Sequence, residues 1–84
     1  MTVRRDRLVK LLSSNEVNVS FIKKTGGRRK MRCTLDATRL PKRIAAKLDS
    51  LPTTPGILTV FDTEKKDWRS FYLSNITKIE KVAV

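Results

Sequence analysis

The first dozen residues show a helical spacing of apolar positions. Leu8, Leu11 and Leu12 recur on one side, with cations between them, which predicts a short amphipathic helix over about residues 2–13. The polar triplet Ser13-Ser14-Asn15 supplies residues that commonly end a helix. Because a helix this short is not stable alone, its leucines must cover another element.

From residue 16 the apolar period changes from helical spacing to two, which is typical of strands with one buried face. Turn residues interrupt this pattern repeatedly, and Thr25-Gly26-Gly27 in particular suits a tight hairpin because glycine adopts positive φ readily. The pattern predicts five strands, at about residues 16–24, 28–35, 57–62, 67–73 and 76–82.

A long irregular segment separates the second and third predicted strands. Asp36 is a candidate cap and Pro41 suits the start of a helix, so one or two helical turns are expected there. The run Pro52-Thr53-Thr54-Pro55-Gly56 then predicts an extended turn, since proline disfavours helix in the residue before it.

This order of elements predicts a mainly β fold with an N-terminal α-helix. We expect a small five-stranded SH3-like or Sm-like antiparallel barrel, with a short helical excursion between strands 2 and 3, in one domain spanning residues 1–84. An open sheet packed against the helix is the alternative. The alternation predicts a core of Leu8, Leu11, Val19, Phe21, Met31, Cys33, Leu35, Val60, Phe71 and Ile79.

Composition removes several classes of function. The chain has no His and one Cys, so histidine bases, catalytic triads, disulfides and common zinc sites are excluded, and we expect no enzyme, no metal and no cofactor. Cys33 is predicted to be an inert core residue. No apolar run is long enough to span a bilayer, and no signal-peptide pattern precedes the domain, so a soluble intracellular protein without a membrane partner is expected.

Charge is distributed very unevenly. The 84 residues contain 19 Lys and Arg against eight Asp and Glu, a net +11, and all of that excess lies before residue 48. A solvated surface would explain cations in general, but clustering favours a phosphate-binding face. The candidate nucleic-acid-binding residues are Arg4, Arg5, Arg7, Lys23, Lys24, Arg28, Arg29, Lys30, Arg32, Lys42 and Arg43. Cations of the charge-balanced half, among them Lys65, Lys66 and Lys78, are expected to lie outside this face.

Three aromatic residues fall in the fourth predicted strand. Trp68 and Tyr72 share one face and Phe71 lies on the other, so one set must be buried. We place Phe71 inside, which leaves Trp68 and Tyr72 as candidates for stacking on bases.

Two segments resemble a known family. Met31-Arg32-Cys33-Thr34-Leu35 and Trp68-Arg69-Ser70-Phe71-Tyr72-Leu73, with Val60 and Asp62 ahead of the second, are similar to the small Sm-like SH3-barrel proteins of tailed bacteriophages, which are related to the WYL domain. Trp68 is separated from Tyr72-Leu73, so the contiguous Trp-Tyr-Leu of WYL domains is absent. The resemblance implies an accessory phage protein in the cytoplasm of the infected bacterial cell.

Two functions are compatible with these features. The first is binding of nucleic acid, with DNA favoured over RNA, mainly through phosphates, with modulation of host or phage transcription. The second is docking on an acidic host protein such as a polymerase subunit or nuclease. The sequence leaves open the choice between DNA and RNA, single or double strands, sequence preference, the host protein target and oligomeric state.

Overall fold

The fold is that of a computed structural model, which describes residues 3–82. It contains helix α1, a five-stranded antiparallel sheet in the order β4-β3-β2-β1-β5, and a helical excursion between β2 and β3. The elements are α1 Arg5–Leu12, β1 Glu16–Ile22, β2 Arg28–Thr34, α2 Lys42–Ala45, β3 Ile57–Asp62, β4 Asp67–Tyr72 and β5 Ile76–Lys81. Short 3-10 helices span Ala37–Arg39, Leu48–Ser50 and Leu73–Asn75.

Helix α1 covers the sheet with one stripe. Leu8 and Leu12, four residues apart, are buried in the core, whereas Leu11 is half-buried. The hydroxyl of Ser13 donates to the carbonyl of Val9 at 2.7 Å, and the amide of Asn15 donates to the carbonyl of Leu11 at 2.9 Å. These bonds satisfy carbonyls at the helix end, as the polar triplet predicted. The predicted start at residue 2 lies outside the described residues.

The β1–β2 hairpin forms at the predicted place, with slightly shorter strands. β1 ends at Ile22, so Lys23 and Lys24 belong to the turn. Lys23 N–H donates to the Gly27 carbonyl at 2.8 Å, and Gly26 has φ 92°, a left-handed conformation that favours glycine. Lys23 and Lys24 therefore lie beside the sheet, in the turn, and are not part of the β1–β2 strand pairing.

The pairing between β2 and β3 is short. Only Cys33↔Asp62 and Thr34↔Phe61 pair these strands. Thr34 is fully buried at this junction, where its hydroxyl lies 2.8 Å from the carbonyl of Asn15 and accepts from Asp36 N–H at 3.0 Å. Within residues 3–82 no ladder joins β4 to β5, so the sheet is not closed into a barrel. In this respect the structure agrees with the alternative prediction of an open sheet.

The excursion between β2 and β3 begins at the predicted cap. The Asp36 carboxylate accepts from the backbone N–H of Thr38 at 3.0 Å and from its hydroxyl at 2.7 Å. These hydrogen bonds, with a weaker contribution from Arg39, lower the pKa of Asp36. Pro41 precedes α2, as expected for a residue with φ fixed near the helical value.

The core contains the predicted residues, except that Leu11 and Ile79 are only half-buried. Phe21 and Phe71 pack together with ring centroids 5.2 Å apart, which confirms that Phe71 lies inside. The main cluster also includes residues absent from the predicted core, namely Leu12, Val17, Leu58, Leu73 and Ile76.

Cys33 is completely buried, and its thiol lies 3.6 Å from the carbonyl of Val17. Burial, followed by the charge of Asp62, raises the pKa of Cys33 to about 12. We expect a thiol reagent at about pH 8 to leave the native protein unmodified, because the thiolate is scarce and the sulfur is inaccessible.

The check is to follow labelling with and without denaturant. Labelling should become rapid only after unfolding, and equal rates under both conditions would contradict the burial of Cys33. A cysteine thiol has a pKa of about 8.5 in an unfolded chain, whereas that of Cys33 in the folded protein is about 12. The folded state, which keeps Cys33 protonated, therefore has its full stability below about pH 8.5 and loses stability as the pH rises toward 12.

Candidate nucleic-acid interface

The face of the sheet opposite the core carries a group of cations, of which Arg28 and Lys30 have no acidic partner among residues 3–82. On β2, Arg28 and Lys30 alternate with buried Met31 and so project to this side. Lys30 pairs with Ser20 of β1, and Ser20 pairs on its other side with Lys78 of β5. We call this surface the outer basic face; the shallow depression on it, about 530 Å³, is lined by Ser20, Arg28, Arg29, Lys30, Thr77 and Lys78.

The spacing of these cations follows from sheet geometry. Lys30 and Lys78 lie two strands apart, hence about 10 Å at their backbones, and Arg28 lies about 7 Å from Lys30 along β2. Like charges this close repel one another and reduce stability in the absence of a counter-charge. In the next row of the sheet, farther from the β1–β2 turn, the positive charge is compensated, because Arg32 forms an ion pair with Glu16.

Lys78 was expected outside this group because it lies in the charge-balanced half of the sequence. The antiparallel pairing of β5 with β1 instead brings it opposite Ser20. Its ammonium lies 3.4 Å from Glu80, but both side chains are largely exposed, so the pair is worth at most about 1 kcal/mol and can exchange for another anion.

Four of the candidate arginines have partners within the fold. Arg4 forms only an exposed ion pair, in which its Nε lies 3.7 Å from the Asp6 carboxylate. The guanidinium of Arg5 donates to the backbone carbonyls of Pro52, Thr54 and Ile57 at 2.9–3.2 Å, which fixes the extended turn before β3. Arg32 lies 2.6 Å from the carboxylate of Glu16.

Arg29 projects to the core side and meets Asp62 at 3.2 Å. Asp62 itself is 2% exposed, and its other oxygen accepts the backbone N–H groups of Glu64 and Lys65. Its burial shows that it organises the β3–β4 turn, which a local sequence pattern could not reveal because Arg29 is 33 residues away.

Four further candidates lie elsewhere on the surface. Arg4 and Arg7 are exposed on or beside α1, and Lys42 and Arg43 are exposed on α2. None of them lines the outer basic face or the cleft described next.

A cleft of about 420 Å³ opens between the β1–β2 turn and β4. We call it the hairpin cleft. Its apolar lining includes Phe21, Met31, Ile57 and Phe71, and its cations are Lys23, Lys24, Arg29 and Arg69. It lies where the sheet is not closed. No local sequence pattern indicates it, because its walls come from four strands.

The two stacking candidates occupy different surroundings. Trp68 is half-buried and packs edge-on against Phe61, with ring centroids 5.4 Å apart. Tyr72 is exposed, lines the hairpin cleft, and has the Lys24 ammonium 5.3 Å from its ring centroid. The structure therefore places Tyr72, and not Trp68, beside the cations of the turn.

Comparison with known proteins identifies the family. A family described as WYL_2, Sm-like SH3 beta-barrel fold, matches residues 5–77. The chain belongs to this family. The match agrees with the resemblance of the Met31–Leu35 and Trp68–Leu73 segments, and the five antiparallel strands with an N-terminal helix are consistent with the WYL_2 fold. No curated protein and no solved structure matched the chain.

Two further findings concern membrane-spanning helices and metal-binding clusters in this WYL_2 domain. Over residues 3–82, none of its helices has the length and apolar character that crossing a membrane requires. The same residues include no group of three or more His, Cys, Asp or Glu placed to hold a metal ion.

Proposed function

We propose that this WYL_2 protein binds nucleic acid, with DNA favoured over RNA, through contacts to phosphates. The observation that carries the proposal is the convergence of Arg28 and Lys30 of β2 with Lys78 of β5 on one face, on either side of β1. Lys23 and Lys24 extend that positive surface through the adjacent turn. A polyanion would relieve the mutual repulsion of these cations and release the counterions condensed on its own backbone.

The neighbouring polar groups suit phosphate as a ligand. Ser20 and Thr77 line the same depression, and hydroxyls are common donors to phosphate oxygens. The Thr77 hydroxyl donates to the Ser20 carbonyl at 3.3 Å, so the hydroxyl of Ser20 is the better donor to a phosphate. We assign a structural role, and not phosphate binding, to Arg5, Arg29 and Arg32, because their guanidinium groups already bond to carbonyls or carboxylates. The proposed face is therefore smaller than the candidate set from the sequence.

We also propose the cellular setting that the sequence resemblance implies. The protein would be an accessory protein of a tailed bacteriophage, acting in the cytoplasm of the infected bacterium by modulating host or phage transcription. The support is the likeness of its two strand motifs to phage members of the family.

Salt dependence tests the binding proposal directly. If about five phosphates are contacted by Lys23, Lys24, Arg28, Lys30 and Lys78, the logarithm of affinity for duplex DNA should fall against the logarithm of salt with a slope of about −4 to −5. Fluorescence anisotropy with a labelled duplex, measured between about 0.05 and 0.2 M salt, gives that slope. RNA of matched length serves as the comparison probe.

The competing function gives a different result. A protein that docks on an acidic host protein would bind neither DNA nor RNA at about 0.1 M salt, where multiple phosphate contacts remain measurable. It would instead retain one acidic partner from a bacterial lysate after nuclease treatment. That pair of results would overturn nucleic-acid binding and favour the host-protein function.

A further inference from the structure

The hairpin cleft combines features that a phosphate-binding face does not need. Its floor is formed by the packed rings of Phe21 and Phe71, and Tyr72 stands exposed at its rim. Its volume of about 420 Å³ falls within the range of small-molecule sites in proteins, about 300–1,000 Å³. Contacts to phosphates alone would require neither the depth nor the aromatic lining.

The charges around the cleft select an anionic occupant. Lys23 and Lys24 stand on one side and Arg69 on the other. Within residues 3–82, no carboxylate lies within ion-pair distance of Arg69, so its charge is not compensated. A flat aromatic group that carries a phosphate satisfies both the apolar floor and the cationic rim.

The edge of β4 adds polar recognition. β4 pairs with β3 on one side, and no strand of the described chain pairs with its other side. Four consecutive β4 residues, from Arg69 to Tyr72, line the cleft, so the strand edge runs along it. An edge strand presents unpaired N–H and C=O groups, which are the complement of the donors and acceptors on the edge of a base.

We propose that the hairpin cleft receives an unpaired base of a nucleic-acid strand whose phosphates are held by the cations of the turn. This inference rests on the proposed function and specifies its substrate as single-stranded. A base inside a duplex is stacked and paired on both sides, so it reaches an aromatic floor only after it is flipped out, at an energetic cost. The Lys24 ammonium lies over the Tyr72 ring, so the cleft combines cations with an aromatic side chain, as single-strand-binding proteins do.

The test compares three probes with the unmodified protein. They are a labelled oligothymidylate of about 12 nucleotides, a strand of the same length in which every base is replaced by an abasic site, and a hairpin duplex with the same number of phosphates. Oligothymidylate should bind about tenfold or more tightly than the abasic strand at equal salt, because stacking of even one base contributes that much. It should also bind more tightly than the duplex.

Variants at the rim locate the effect. Tyr72→Ala should lower affinity for oligothymidylate about tenfold and leave the abasic strand unchanged, whereas Tyr72→Phe should retain binding because it keeps the ring. Arg69→Gln should weaken binding, whereas Lys65→Gln, on the turn of the same β3–β4 hairpin but outside the cleft, should not. Thermal unfolding of each variant checks that the fold persists.

The outcomes separate this inference from the proposed function. Equal affinity for oligothymidylate and the abasic strand would overturn the base site, while a steep salt dependence with all three probes would leave phosphate binding intact. That comparison uses only the native protein, so it stands even if Tyr72→Ala fails to fold. Absence of binding to every probe would overturn both proposals.

Discussion

Replacing Arg28, Lys30 and Lys78 together with glutamine is expected to weaken binding to duplex DNA by roughly two to three orders of magnitude at 0.1 M salt. Each lost phosphate contact removes about 0.9 from the salt slope, so the slope should flatten by about 2.7. The three side chains project from the sheet away from the core, and their removal lowers mutual repulsion, so the melting temperature should stay the same or rise. Anisotropy titrations at several salt concentrations measure both quantities.

A control of equal charge separates a binding face from diffuse attraction. Lys42, Arg43 and Lys47 are exposed on the excursion between β2 and β3 and line neither depression. Their replacement with glutamine removes the same three charges, and we expect the salt slope to change little. Equal weakening by both triple variants would show that only net charge attracts the polyanion.

Truncation of Phe71 to alanine is expected to destabilise the domain by about 3–5 kcal/mol. The ring is 4% exposed and packs on Phe21, so its loss removes buried apolar area, leaves a cavity and ends an aromatic contact. Small domains are marginally stable, so the variant should be largely unfolded at 37 °C. Urea denaturation followed by the fluorescence of Trp68 measures the change.

Phe71→Leu is the matched variant, because it keeps most of the buried volume and should lose distinctly less free energy of unfolding. A loss below about 1 kcal/mol for Phe71→Ala would mean that the ring does not contribute to the core as its burial indicates. Because Phe71 also forms the floor of the hairpin cleft, these variants are measured for stability and not for binding.

The sequence predicted the elements because their signals are local. A period of two placed Val19 and Met31 on the buried face, and Gly26 marked the turn between their strands. The same argument placed Phe71 inside and Cys33 among apolar residues. Asp36 was predicted to be a cap because an aspartate carboxylate commonly accepts a hydrogen bond from the backbone N–H two residues later. In this structure that N–H belongs to Thr38.

The candidate interface was predicted less completely. Charge counting along the chain drew attention to Arg28 and Lys30, but it could not assign Arg5 to carbonyls about 50 residues away or Arg29 to Asp62. Charge counting also placed Lys78 outside the group that contains Lys30. In the sheet the two lysines lie on either side of Ser20, because β2 and β5 both pair with β1. Surface charge is defined by neighbours in space, and those neighbours depend on strand pairing.

The sequence by itself determined the helix, the five strands, most of the buried side chains and the total charge, since spacing and residue type within a few positions are sufficient for each. Only the tertiary structure decided which cations are available, where the sheet stays open, and that Tyr72 borders a cleft while Trp68 packs on Phe61. The physical reason is that these features depend on which strands pair. Two residue pairs alone join β2 to β3, and within the described residues no strand pairs with the outer edge of β4; no local pattern encodes either.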